Sequence, residues 1–239
     1  MRHNHLGQPL GAPLPAWQSP PAPAGATMQG QYCRLEPVTP DAHADDLFAA
    51  YSEDRDGAIW TYLPYGPFAS SGEYRAWMEQ KCLGDDPRFF TLIELAGGRA
   101  SGLAAYLRID RRNGVIEVGH LAFAPRLQRT RAATEALYLM MRYAFELGYR
   151  RCEWKCDVLN APSHTAARRL GFTYEGTFRQ AVVVKGRNRD TAWFSVLDTE
   201  WPALRLAYER WLDPGNFAMD GRQRSRLSDL TAGLGRASG

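Results

Sequence analysis

The chain has 239 residues, is 45% apolar and 23% charged, and carries a formal net charge of +3. That suits one well-packed domain with extensions, and so small a net charge gives no case for a nucleic-acid-binding protein. No apolar run is long enough to span a bilayer, and the opening "MRHNHLGQPLGAP" has no apolar core of the signal-peptide kind, so a cytoplasmic protein without membrane contact is expected.

Taken in chain order, residues 1–29 are rich in proline, glycine and alanine and read as an extended arm, with Trp17 as its anchor. Residues 30–212 alternate between the helical and the strand period. "YCRLEPV" is a strand, and "DAHADDLFAAYS" is a helix with Thr39 or Asp41 as its cap. "WTYLPYGPF" is an aromatic, proline-broken loop. "SSGEYRAWMEQKCL" is a second helix, with Gly84 as its stop. "FFTLIEL" and "ASGLAAYLRI" are strands joined at Gly97–Gly98, and "GVIEVGHLAF" completes a meander. In "RAATEALYLMMRYAFELG" the residues Ala133, Leu137, Met140, Ala144 and Leu147 form an apolar helical stripe that ends at Gly148.

"RRCEWKCDV" is the next strand, on which Cys152 and Cys156 share a face. With Cys33 and Cys82 they form no zinc-type pair of pairs, so a core role is expected and no metal. A short helix around Ser163 leads into "FTYEGTFRQAVVV" and "RDTAWFSVL", an antiparallel pair turning near Gly186. "TEWPALRLAYERWL" is the last helix, and residues 213–239 are a polar, loosely docked tail. The fold class is therefore α+β, a mixed α/β arrangement.

The segment Asn160 to Gly176, "NAPSHTAARRLGFTYEG", is a polar loop, an amphipathic helix, a glycine stop and a strand. Together with "FAPRLQRTRAATEA" upstream it resembles the GNAT acyltransferases, and most of all their RimJ/RimL-like branch. The resemblance covers roughly residues 31–197. It implies a central twisted, mostly antiparallel sheet of six to seven strands flanked by helices. It also implies acetyl-CoA as co-substrate.

In that family a glutamine and small residues open a helix whose free N–H groups receive the pyrophosphate. Here Gln128, Arg129, Thr130, Arg131, Ala132, Ala133 and Thr134 occupy that stretch. Arg131 stands where glycine is usual, and Arg126, Arg129 and Arg131 offer added charge. The resemblance implies that Leu121, Ala122 and Phe123 bond the pantetheine arm, where the fourth and fifth strands splay, and that Asn160 contacts it. Ser163 is implied near the sulfur as proton donor to the leaving thiolate.

The base is less plainly marked. Val182, in "RQAV", replaces the glutamate of RimL-like enzymes. Glu117 is the substitute, as catalytic and substrate-binding residue, with His120 or water as alternatives. Glu117 and His120 are odd-spaced and share a cleft only if a bulge intervenes. Trp60, Tyr62 and Tyr65, with Phe68, line the acceptor side, and Arg179 lies on the opposite rim. Gln180, Lys185 and Arg187 add to that basic rim.

The expected function is acetyl transfer from acetyl-CoA directly to a primary amine, on a small molecule or a peptide N-terminus. A homodimer is left open. The competing readings are another acyl donor, or a non-catalytic acyl-CoA-binding sensor or scaffold.

Overall fold

The structure, a computed structural model, describes residues 2–234. In chain order the elements are β1 (Arg2–His3), β2 (Pro9–Leu10), β3 (Met28–Gln29), β4 (Cys33–Pro37), α1 (Pro40–Tyr51), α2 (Ser71–Lys81), β5 (Arg88–Glu94), β6 (Ala100–Asp110), β7 (Val115–Phe123) and α3 (Arg131–Glu146). They continue with β8 (Arg151–Asp157), α4 (Ala161–Arg169), β9 (Thr173–Val184), β10 (Arg187–Leu197), α5 (Trp201–Leu212) and α6 (Leu227–Thr231). Strands β3 to β10 form one eight-stranded sheet in the order β3-β4-β5-β6-β7-β8-β10-β9. Every adjacent pair is antiparallel except β7 with β8. The sheet exceeds the expected six to seven strands because the two-residue β3 pairs with β4.

Both faces of the sheet are covered, so its central strands are apolar on both sides. On β5, Phe90 and Leu92 join a core with α3, α4, α5 and α6, whereas Phe89 and Ile93 join a second core with α1 and α2. Cys33, Cys152 and Cys156 belong to the first core and Cys82 to the second. Because α3 lies between the sheet and α5, it is buried well beyond the stripe read from its period, from Ala132 through Met141.

The two ends are more ordered than their composition suggests. The indole N–H of Trp17 donates to the Arg112 carbonyl (3.2 Å), and the ring fills the space beside Gly114, whose φ of +65° admits no side chain comfortably. The arm also holds the β1–β2 hairpin. The tail docks firmly: Leu227 and Thr231 are buried, and Thr231 Oγ1 donates to the Arg169 carbonyl (3.1 Å). Residues 235–239 of that predicted tail lie outside the described residues. Gly84 does not close α2, which ends at Lys81 with Cys82 as its cap.

One buried carboxylate ties the arm to the core. Glu135 on α3 accepts the backbone N–H groups of Gln31 (2.8 Å), Tyr32 (2.6 Å) and Cys33 (2.9 Å). Gly30 lies so close that a Cβ there would overlap the carboxylate. Charge-assisted bonds of this kind are strong, and each orphaned buried N–H costs about 1–3 kcal/mol. Glu135→Ala is therefore expected to lower unfolding stability in urea by about 3–5 kcal/mol, and Glu135→Gln by less than half of that. A loss below about 1 kcal/mol for the alanine variant would show that the three bonds add nothing net.

Candidate active site

The site exists because β7 and β8 part. Their parallel pairing covers Val115 with Arg151, Ile116 with Cys152 and Glu117 with Glu153, and then stops. Beyond that point each strand stays with its antiparallel neighbour. β8 continues along β10 for seven pairs, from Arg151–Leu197 to Asp157–Thr191. β7 follows β6, but its register slips: Ala105 faces Gly119 and Leu103 faces Ala122, so His120 and Leu121 together oppose Ala104. This is a β-bulge, and His120 takes a φ of +51° within it.

The gap is a single cavity of about 780 Å³. It runs from Gln128 and Leu137 near the α3 start, past Leu121 and Phe123, to Asn160 and Ser163. It ends among Glu117, His120, Lys155, Arg189, Val182 and Tyr62. The bulge brings Glu117 and His120 to the same cavity despite their odd spacing.

At one end, Thr130 caps α3 by accepting the Ala133 N–H on its Oγ1 (3.1 Å). The amides of Arg131 and Ala132 are left at the helix start, where the dipole is positive. Gln128 folds back and donates from Nε2 to the Phe123 carbonyl (2.9 Å). Two of the three arginines are occupied elsewhere. Arg126 pairs with Glu53 and Glu94, and the Arg131 guanidinium lies between the rings of Phe217 (4.4 Å) and Tyr32 (5.0 Å). Arg131 thus brings its amide, not its charge, to the helix start. Arg129 stays exposed, with a φ of +64°. A thin anionic ligand fits this end, with its phosphates on the amides and its arm in the gap.

In the middle, α4 begins at a polar cap. Asn160 Oδ1 accepts the Ser163 N–H (3.2 Å), and Trp154 Nε1 donates to Ser163 Oγ (2.9 Å). With its oxygen accepting from the indole, the Ser163 hydroxyl acts as a donor, and the Cys156 sulfur is one acceptor within its reach. Burial pushes all four thiols up, Cys82 to about 12, so none supplies a thiolate nucleophile near neutrality.

The far end carries a ladder of charge whose middle, Glu117, Lys155 and Glu153, is buried. Glu117 Oε2 accepts from Arg108 (2.7 Å) and Lys155 (3.0 Å), and Lys155 also reaches Glu153 (2.7 Å). Glu153 then pairs with Arg151 (2.7 Å), which grips Glu175. Arg151 holds the Glu175 carboxyl below its usual range, consistent with a structural role for that residue. Lys155 and Arg108 were not singled out from the sequence. The signal was present on β8, where Arg151, Glu153 and Lys155 alternate with Cys152, Trp154 and Cys156. His120 stacks on Tyr65 and approaches Phe89, with Nδ1 3.3 Å from the Tyr65 hydroxyl.

The aromatic loop divides. Tyr62 lines the cavity and donates its hydroxyl to the Leu159 carbonyl across the cleft (3.0 Å). Tyr65 reaches the site through His120. Trp60 and Phe68 do not line this cavity; they pack against Tyr51 and Tyr74 in the second core. The acceptor role expected of Trp60 is therefore not what the structure shows. Arg179 is exposed on the edge strand β9 away from the cavity, and the arginine that lines it is Arg189. Lys185 and Arg187 clamp the loop by donating to the carbonyls of Trp60 (2.9 Å), Gly66 (2.8 Å) and Thr61 (3.0 Å).

This split sheet is what a family comparison returns. A model described as an acetyltransferase (GNAT) domain matches residues 33–173. The chain belongs to the GNAT acetyltransferase family. A crystal structure of a GCN5-related N-acetyltransferase from Brucella melitensis is 48% identical, with a TM-score of 0.89, over 91% of this chain and 99% of that one. YnaD of Bacillus subtilis, an uncharacterized N-acetyltransferase, is 25% identical over 65% of this chain and 90% of its own length. RimL, a ribosomal L7/L12 N-terminal acetyltransferase, shares the fold at 19% identity and a TM-score of 0.59, over 72% of this chain and 94% of that one. This GNAT chain is thus an acyltransferase by family. No helix of its described residues is long and apolar enough to cross a membrane.

Burial, and then the Arg108 and Arg189 charges, lower the His120 pKa from 6.5 to about 4. The unfolded chain binds that proton near pH 6.5 and the folded chain only near pH 4. Between these values the unfolded state holds more protons, so stability rises with pH. The contribution is complete above about pH 6.5 and is lost as the pH falls to about 4, roughly 3 kcal/mol in all. Urea unfolding of His120→Asn, which tolerates the positive φ, is expected to lack this part of the pH dependence. Identical slopes for variant and wild type between pH 4.5 and 6.5 would contradict the lowered pKa.

Proposed function

We propose that the chain moves an acetyl group from acetyl-CoA directly to a primary amine, with both substrates held in the split between β7 and β8. The observation that carries this reading is the one continuous cavity joining the α3 start, Ser163 and the Glu117–His120 pair. Acetyl-CoA supplies an activated thioester. The amides of Arg131 and Ala132, with Thr130 to Thr134 around them, would hold its pyrophosphate, and Gln128 and Arg129 flank that point. Leu121, Ala122 and Phe123 would align the pantetheine arm, helped by the Asn160 side chain. Backbone N–H groups there would also bond the thioester oxygen as negative charge grows on it.

Ser163, its oxygen fixed by Trp154, gives its proton to the departing sulfur. Glu117 takes the amine proton, directly or through water. Its Oε2 is held by Arg108 and Lys155, and its Oε1 remains to accept. His120 is neutral above about pH 4 and offers the amine a hydrogen bond without repelling its ammonium form. Tyr62 closes the acceptor end. The acceptor in this reading is a small amine or the N-terminus of a peptide.

Coenzyme A is expected to give a saturable calorimetric isotherm. No heat at millimolar coenzyme A would end the reading. Ser163→Ala is expected to lower kcat by about 10- to 100-fold while leaving coenzyme A affinity within a few fold, since leaving-group protonation acts in the transition state. An unchanged kcat with a raised KM would remove Ser163 from the chemistry.

Glu117→Gln is expected to lower kcat and flatten the acidic limb of the pH–rate profile. The comparison is made with two amines of different pKa, because a solvent-accepted proton would make the profile track each amine instead. A variant profile overlaying the wild type with both amines would exclude Glu117 as base.

A further inference from the structure

Most charges around the acceptor end are held in ion pairs: Arg108 and Lys155 with Glu117 and Glu153, and Arg151 with Glu175. Arg189 is the cavity-lining cation outside these pairs. It lines the cavity, its Nε is buried without a hydrogen-bond partner, and it makes no ion pair among the described residues. Its cross-strand neighbour in the β9–β10 register is Val182, which offers it nothing polar. The adjacent acid, Asp190, is turned to the other side, where it accepts from Gln180 N (2.7 Å) and Asn188 Nδ2 (3.0 Å).

Arg189 is half-exposed, but its Nε–H is kept from water with no acceptor, and a buried donor without a partner is costly unless something arrives to pair with it. Arg189 stands on β10 just past the stretch paired with β8, and its charge is felt at His120 across the gap. A ligand with its amine at Glu117 and His120 therefore has Arg189 within the same chamber.

We propose that the acceptor is an amine that also carries a carboxylate, and that Arg189 binds this carboxylate and selects for it. The inference rests on the acetyltransferase reading and adds the acceptor's chemical class. A guanidinium with a free donor and no ion pair suits a single carboxylate. The planar fork of arginine pairs with a carboxylate through two parallel hydrogen bonds. A phosphate dianion would bring a second charge toward Glu117 and Asp157, which also line this cavity. The neighbouring Val182 and Val184 side chains offer the guanidinium no competing polar partner.

The test uses free L-amino acids and β-alanine, each against its own primary amide, with acetyl-CoA and thiol release as readout. The quantity is the acid-to-amide ratio of kcat/KM in wild type divided by the same ratio in Arg189→Gln, which cancels the differing reactivity of the two amines. A quotient of ten or more for at least one pair is expected, and Val182→Glu, which gives Arg189 an internal partner, should act in the same direction. A quotient near one for every pair would overturn the proposal.

Binding separates this result from a failure of the acetyltransferase reading. In the presence of coenzyme A, an N-acetyl amino acid should bind wild type at least tenfold more tightly than its amide, by calorimetry, and lose that margin in Arg189→Gln. Equal affinities would count against the proposal whether or not turnover is seen. Arg189→Gln should keep or raise Tm, because it removes an unpaired charge. A marked fall in Tm would mean that Arg189 is a structural residue and would also overturn the proposal.

Discussion

The parting of β7 from β8 is the constraint on which the rest of the molecule depends. Two parallel strands pair for three residues and then each follows a different antiparallel neighbour. Antiparallel pairing with β6 and β10 is longer, and the bulge at His120 lets β7 keep its alternation with β6 after the split. The opened edges expose backbone and side chains of both strands to one cavity. Glu117, His120 and Lys155 stand on those strands, and Ser163 on the helix that begins beside them.

The split brings an electrostatic problem, since it admits solvent-poor space into the middle of the sheet. The chain answers with alternating charges on neighbouring strands, from Arg108 through Glu117, Lys155, Glu153 and Arg151 to Glu175. The Trp193 ring lies against Lys155, 3.6 Å from Nζ to its centroid, and shields that pair. The ladder links β6, β7, β8 and β9 at the last paired positions of β7 and β8, where the two strands begin to part. It also fixes one oxygen of Glu117 while leaving the other toward the cavity. The position of Glu117 is thus set by the same interactions that link the opened strands.

Much of this was legible in the sequence wherever a local pattern carried the signal. The α3 stripe and the Gly97–Gly98 and Gly186 turns each lie within a few residues of the elements they define, and each is present in the structure. The conditional reading of Glu117 and His120 turned on a bulge that no local rule specifies; the register shift supplies it. The placements that differ from expectation share a cause. Trp60 and Arg179 were assigned by residue type and nearness along the chain, but burial decided one and strand edge position the other. Arg131 was one of three arginines expected to add charge for phosphate at the helix start, yet its guanidinium is drawn away by Tyr32 and Phe217, which are remote in sequence. The docking of the tail depends on such remote partners as well.

The central claim is that both substrates occupy the split sheet at once and that the acetyl group passes directly between them. Initial rates measured over a grid of acetyl-CoA and amine concentrations test this most directly. Direct transfer predicts double-reciprocal lines that intersect, with no thiol released by acetyl-CoA in the absence of amine. Parallel lines, together with a burst of thiol before the amine is added, would show an acetylated enzyme and contradict the account.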